Sequence, residues 1–508
     1  MRPQEGPPDT ADVVVVGAGP TGLLLAGDLA AAGVSCTVLE RRQGESNLSR
    51  AAGVHARTLE ELDARGLADD LVSVGMPVDR LRVFGRGLLD LSRLPGRFPY
   101  MLAVPQFRTE RLLMERAQAF GARIVPGAEL VGLRQDDEGV DLRARTRDGR
   151  ERRWRARYVV GADGAHSAVR RALGLPFPGR SVVHSLMLGD VRMSDPPPDT
   201  LTADVVRDGL AFVLPFGDGW YRVIVWDRRS TAPHTAPVGL EEIREITRRV
   251  LGTDFGMHDP RWLSRFSCDE RQVPGYRRGR VFLAGDAAHV HSPAGGLGMN
   301  TGLQDAANLG WKLAAVIRAG APERLLDTYD GERHEAGRAA LRTSGRLLRA
   351  AMARPRTLRA AWREILRIAT RVRPLGRRMA MALSGIGLAY PAPRGAHPLA
   401  GRRAPDIPLA GPGPGTLYQA LRGRRCLVVV PPDSPALAEK VAETVAGWGD
   451  RVGVVTAGGV TRTLVLVRPD GYIAWASDAG ALSGSPAGPP LRTALADWCG
   501  PPLTPVAR

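Results

Sequence analysis

The stretch LAGDAAHVHSPAGGLGMN, residues 283 to 300, holds three side chains that could do chemistry, Asp286, His289 and His291. A carboxylate and two imidazoles are metal-ligand types. A zinc or iron site needs a third or fourth ligand and an open position, however, and none is evident nearby, so no metal is expected. The glycine-rich end of the same stretch offers a different chemistry, a turn whose backbone N–H groups lie against a bound cofactor. Near the N-terminus Gly17, Gly19 and Gly22 follow an apolar run, with Glu40 roughly 20 residues further on, the spacing of a dinucleotide site. Gly17 permits the tight turn, Gly19 lets backbone N–H groups approach a pyrophosphate, and Gly22 allows close helix–strand packing. Glu40 can accept from the ribose hydroxyls.

The elements that must position these groups are three strand–turn–helix units. In DVVVVGAGPTGLLLAGDLAAAGVSCTVLERR the valines 13 to 16 read as a strand buried on both faces. Residues 23 to 32 follow with helical period, Gly33 stops the helix, and CTVLE makes a second strand ending at Glu40. RYVVGADGAHSAVRRALG is a strand ending at Asp163 and Gly164, with a helix opening near Ser167. GRVFLAGDAAHVHSPAGGLGMNTGLQDAANLGWKL is a strand ending at Gly285 and Asp286, then a loop through Pro293. A helix follows from about Asn300, with Leu303, Ala306, Leu309, Leu313 and Ile317 at helical spacing.

The chain of 508 residues, 44% hydrophobic and 24% charged, is a globular composition with room for several domains. No apolar run reaches the roughly 18 residues of a membrane span. MRPQEGPPDTAD lacks a signal core, so the expected location is the cytoplasm. The cysteines 36, 268, 426 and 499 form no CxxC pair. The net charge of +17 is carried almost wholly by arginine, since Lys312 and Lys440 are the only lysines. Its densest run, LRARTRDGRERRWRARYVV, alternates apolar and basic residues around Asp148 and Gly149. That is a hairpin with solvated arginines, and no nucleic-acid partner is expected. The boundaries read as 1–176, a strand-rich 177–274, a return at 275–390 with an arginine-rich amphipathic stretch, and a Pro/Gly-rich linker opening a small α/β module at 391–508.

Taken together, the three glycine-centred units closely resemble the fingerprints of single-component FAD-dependent aromatic hydroxylases, the class A flavoprotein monooxygenases. The resemblance extends to SRAAGVHARTLEELDARGL, VPQFRTERLL, GTDFGMHDPRWLSRF and LVRPDGYIAWA, and so covers nearly the whole chain. Within that family it looks most like rifampicin monooxygenases and aromatic polyketide hydroxylases. The resemblance implies an α/β fold: a Rossmann-type FAD-binding domain (1–176 and 275–390), an inserted β-rich substrate domain (177–274), and a thioredoxin-like C-terminal domain (391–508) without CxxC. It implies FAD, NADPH or NADH as co-substrate, O2, and hydroxylation of a bulky polycyclic aromatic through a flavin C4a-hydroperoxide.

It also implies site residues. Gly17, Gly19, Pro20, Thr21, Gly22, Glu40 and Arg41 fall on the adenosine and phosphate side; Leu130, Asp163 and Ala168 lie on the adenine and pyrophosphate side. Gln106 matches a flavin contact, Asp286 the ribityl contact, and Pro293, Gly298, Met299 and Asn300 the isoalloxazine turn. Arg50 and Arg222 are candidates for positioning substrate and flavin, with an ordinary surface ion pair as the other reading of each. Two departures stand out: Leu297 and Met299 interrupt a more usual GGQGLN, and Ala52 replaces a second arginine of the rifampicin enzymes, which argues against rifamycin as substrate. Baeyer–Villiger oxygen insertion, antibiotic-inactivating oxygenation and a non-catalytic flavin or aromatic binder remain open alternatives. So do monomer and homodimer.

Overall fold

Valines 13 to 16 are buried because they form the middle of a parallel sheet covered on both faces. The computed structural model describes residues 8–503 except 45–50, 84–86, 198–200, 234, 352–355, 460 and 480–487. In it, strand Asp9–Val16 lies between Glu151–Gly161 and Cys36–Glu40, with Val281–Leu283 and Arg123–Pro126 beyond them, all parallel. Strands Val140–Arg145 and Glu129–Gln135 extend this sheet as an antiparallel meander. In that hairpin Leu142, Ala144, Trp154, Ala156 and Tyr158 are buried and the intervening arginines face water, Arg155 pairing with Asp136 and Asp141.

Helix Pro20–Ala31 leaves the first strand with proline in its first turn, where the missing N–H has no intrahelical role. The long helix Leu297–Ala319 packs beside it. This helix begins at Leu297 rather than at about Asn300. Gly295 (φ 85°) and Gly296 (φ 63°) both adopt the left-handed conformation and turn the chain into the helix earlier than its apolar period indicates.

A second, six-stranded sheet runs in the order Thr202–Val205, Gly209–Pro215, Tyr221–Asp227, Gly179–Met193, Met257–Gln272, His289–Val290. One face is sealed by helix Leu240–Leu251, whose Ile243, Ile246 and Val250 pack on Met187, Val213 and Val225. Its last pairing, Gln272 with His289, joins the sheet directly to the glycine-rich stretch. A third, five-stranded sheet is built around the parallel pair Cys426–Val430 and Val452–Ala457, and helices Pro435–Ala446 and Gly488–Cys499 share its core. Cys426 and Cys499 are buried free thiols. Among the described residues no helix is long and apolar enough to cross a membrane.

The glycines of the first turn separate packing from open space. A Cβ at Gly22 would lie 2.0 Å from Gly17 O, whereas one at Gly19 would meet nothing within 4 Å. Gly22→Ala is expected to destabilise the protein by about 1–3 kcal/mol through overpacking. Gly19→Ala should leave the apparent Tm of the cofactor-free protein nearly unchanged, as thermal unfolding of both variants would report.

Candidate active site

The carboxyl ends of the parallel strands meet where strand order reverses around Asp9–Val16, the position at which open α/β sheets bind ligands. Gly17 (φ 108°) makes the crossing possible, since a Cβ there would stand 2.4 Å from Ala162 O. Thr21 Oγ1 lies 2.8 Å from where a Gly285 Cβ would be and 2.4 Å from that of Gly302, so Pro20–Ala31 and Leu297–Ala319 come together at their N-terminal ends. Neither N-cap, Gly19 nor Gly296, bonds the helix with a side chain, so the first N–H groups of both helices are left for a ligand.

Glu40 closes the crevice from the second strand. Its carboxylate accepts from Ala18 N (2.6 Å), Arg42 N (2.8 Å) and Arg42 Nε (3.1 Å). Burial would raise this carboxyl, but those hydrogen bonds and the Arg42 charge hold it below its ordinary value. Arg42 thus makes the ion pair, while Arg41 is exposed. Asp163 Oδ2 caps the next helix by accepting from Ala168 N (2.6 Å) and Val169 N (3.1 Å); Asp163 Oδ1 is buried with no partner among the described residues. Asp286 is exposed on the tight turn Gly285–Ala287, and Leu130 is buried on Glu129–Gln135.

The glycine-rich turn is held by Asn300, whose side chain accepts from His55 N (2.8 Å) and donates to Gly53 O (3.0 Å) and Gly296 O (2.8 Å). His55 Nε2 bonds Gly295 O at 2.8 Å. Burial depresses the His55 pKa and the Gly295 bond only partly opposes it, so the ring is neutral. Pro293 is exposed, Met299 half-buried, and a Cβ on Gly298 would find open space. Gln106, first residue of helix Gln106–Ala119, accepts from Ala51 N (3.0 Å) and donates to Glu110 Oε1 (2.8 Å).

Arg222 is not a surface residue. It is fully buried and grips Asp190 with two bonds, Nε to Oδ1 (2.6 Å) and Nη2 to Oδ2 (2.9 Å). Its Nη1 reaches Ala51 O at 3.2 Å, and Phe216 and Trp262 flank its guanidinium. The second sheet is therefore tied to the segment between the second strand and Gly53. Arg50 lies outside the described residues.

The sequence reading overlooked Asp305. Wholly buried on Leu297–Ala319, it accepts from Gly285 N (3.0 Å), His289 Nε2 (2.6 Å) and Arg333 Nε (2.7 Å). His289 is thus a hydrogen-bond partner of Asp305 that helps fix the Gly285 turn. His291 stacks on it at 4.8 Å, its pKa driven well down by burial and then by the His289 charge. A carboxylate set among Leu303, Ala306 and Leu309 was the available signal.

The cradle fits an extended anionic cofactor. It has open space before Gly19, Gly164 and Gly298, two helix N-termini without side-chain caps, and an orphaned carboxylate oxygen on Asp163. The family of FAD binding domains matches residues 10–344, and that of aromatic-ring hydroxylase C-terminal domains matches 397–502. The chain is 38% identical to the 12-dehydrotetracycline 5-monooxygenase/anhydrotetracycline 6-monooxygenase of Streptomyces rimosus subsp. rimosus, covering 97% of this chain and 99% of that one. It is 40% identical to the rifampicin monooxygenase of Streptomyces venezuelae, over 92% of this chain and 96% of that one. The solved anhydrotetracycline hydroxylase of Streptomyces rimosus superposes with a TM-score of 0.84 at 38% identity, covering 97% and 100% of the two chains. The mixed α/β fold, the cradle at its switch point and these matches agree, and the chain belongs to the FAD-dependent aromatic-ring hydroxylases, monooxygenases that use O2 and a reduced nicotinamide.

Proposed function

We propose that this enzyme hydroxylates a bulky polycyclic phenol of the polyketide or antibiotic type, with the six-stranded sheet as the wall of the substrate site. The observation that carries the reading is the buried Arg222–Asp190 pair, which joins that sheet to Ala51 beside an aromatic lining of Phe216 and Trp262. Relatives named for oxygenating anhydrotetracycline and rifampicin support the substrate class. In the proposed division, 1–176 and 275–390 bind FAD, 177–274 faces substrate, and 391–508 is a thioredoxin-like module. The parallel strand pair and flanking helices of the third sheet favour that last assignment. Four buried free thiols favour a cytoplasmic enzyme. NADPH or NADH serves as donor and the enzyme acts as monomer or homodimer.

When bound, the flavin supplies the activated oxygen; the protein binds, orients and excludes water. Gly17, Gly19, Pro20, Thr21 and Gly22 would receive the pyrophosphate at the first helix's N-terminus, with Glu40, Arg41, Leu130 and Asp163 on the adenosine and phosphate side. Asp286 would accept from ribityl hydroxyls. Gln106, Pro293, Gly298, Met299 and Asn300 would bound the ring, and the positive end of Leu297–Ala319 would favour the negative charge that collects there on reduction. Arg222 positions the segment between flavin and substrate, and the resemblance adds Arg50 as a second candidate for positioning substrate and flavin. A phenolate activates its own ring carbon, so orientation rather than a catalytic triad governs the rate.

The test is NADPH oxidation by the FAD-loaded enzyme in air, with a panel of tri- and tetracyclic phenols and rifampicin. The expected result is stimulation by a tetracyclic phenol and a product one oxygen atom heavier. A product whose ring has become a lactone would point to Baeyer–Villiger chemistry instead, and bound FAD without stimulation by any phenol would refute the substrate class. Asp286→Ala should weaken FAD binding about 10- to 100-fold, the value of a hydrogen bond to a charged group, as flavin fluorescence titration would measure. Arg222→Lys keeps the charge but loses the two-pronged grip. Its kcat/KM should fall by about tenfold or more with FAD content unchanged.

A further inference from the structure

The family's chemistry leaves the C-terminal module without a task, yet a fully buried arginine of the first domain is held by it. Arg57, fully buried on helix Ala56–Asp63, donates through Nη1 to Glu60 (2.9 Å) and to Tyr418 OH (2.7 Å). Through Nη2 it donates to Glu61 and to the Asp470 carbonyl, each at 2.5 Å. Tyr472 stacks under the guanidinium, 5.0 Å away, and Arg403 closes on Glu60 from the same side. Of these, Tyr418, Asp470, Tyr472 and Arg403 all come from beyond residue 391.

The module's loop is itself fixed. Arg468 bonds both oxygens of Glu332 (2.6 and 2.9 Å) and both oxygens of Asp470. Asp470 Oδ2 also accepts from Asn308 Nδ2 at 3.1 Å, on the long helix that begins at the glycine-rich turn. Two residues before Arg57, His55 provides the backbone N–H and the imidazole that hold Asn300 and Gly295. The short segment from Gly53 to Arg57 therefore grips the turn at one end and the module at the other, in a fully packed surrounding that passes a displacement on.

We infer that the face of the C-terminal module that grips Arg57, formed by Tyr418 and the Arg468–Asp470 loop, is a positioning element for the flavin-bearing turn, acting through Arg57 and His55. This rests on the reading that residues 293–300 carry the flavin ring. If the module were only a stabilising cap, loosening its grip would lower the melting temperature and leave the bound cofactor as it was. If it positions the turn, the flavin itself must report the change.

The experiment compares Tyr418→Phe, Arg57→Lys, Asn300→Ala and Arg422→Ala in the FAD-loaded full-length enzyme. Arg422 bonds Asp63 (Nη2 to Oδ1, 2.6 Å), so its loss loosens the module's docking without touching Arg57. Readouts are the visible absorption band of bound FAD and the rate of its anaerobic reduction by NADPH, neither of which needs an aromatic substrate. Tyr418→Phe and Arg57→Lys are expected to shift the band and change the reduction rate by about threefold or more. Arg422→Ala should lower the apparent Tm only. Tyr418→Phe removes a single hydroxyl and keeps the test decisive should Arg57→Lys fail to fold. Wild-type band and rate in Tyr418→Phe, with Asn300→Ala altered, would overturn the positioning role alone. Wild-type behaviour in Asn300→Ala would overturn the assignment of the flavin turn. Equal flavin effects from Arg422→Ala would reduce the module to a cap.

Discussion

The distance between the first helix and the first strand is the constraint from which the site follows. With no side chain at Gly22, the helix settles against Gly17 O, where a methyl group would stand 2.0 Å away. That approach aims its N–H groups at the crevice between Val16 and Gly161 and brings Thr21 against Gly285 and Gly302. The second helix N-terminus is thereby drawn to the same place. Two converging helix ends are a stronger anion site than either alone, because each presents unsatisfied donors and the positive end of a dipole.

Around this cradle the chain buries several charged and titratable groups. Asp305, His289 and Arg333 form one buried cluster, and Arg57, Glu60, Glu61 and Arg403 form another. Lys312, Glu332, Arg468 and Asp470 make a third, in which burial raises Glu332 but Arg468 and Lys312 overcome it and hold the carboxyl at about 2. Taking such groups out of water costs about as much as their pairing returns, so these clusters add little net stability. What they add is discrimination: any arrangement that leaves one member buried and unpaired costs about 3–5 kcal/mol. Clusters of that kind suit a protein that must hold a turn and a docked module in one relative placement.

The three strand–turn–helix units were legible because their signals are local. Apolar period, left-handed glycines and a terminal carboxylate all lie within one unit of chain. What escaped is long-range. Nothing near His289 names Asp305 as its partner, and the alternation in WYRVIVW does not tell which face a neighbouring segment covers, so Arg222 reads equally as a surface ion pair. The partnership of Arg57 with Asp470 spans most of the sequence. The helix start at Leu297 was misplaced because consecutive left-handed glycines turn the chain before the apolar period begins.

The neutrality of His55 sharpens the electrostatics of the turn. Gly295 O can only accept, so the bond to it requires the proton on Nε2, and Nδ1 is then a lone pair buried without a partner. Protonating Nδ1 would create a buried charge with no counter-ion among the described residues, and burial outweighs the Gly295 bond and lowers the pKa. The positive field at the turn accordingly comes from the backbone N–H groups of Leu297–Ala319 rather than from an imidazolium. A field built from peptide dipoles does not titrate, and its direction is set by the placement of the helix start, which Asn300 and His55 hold.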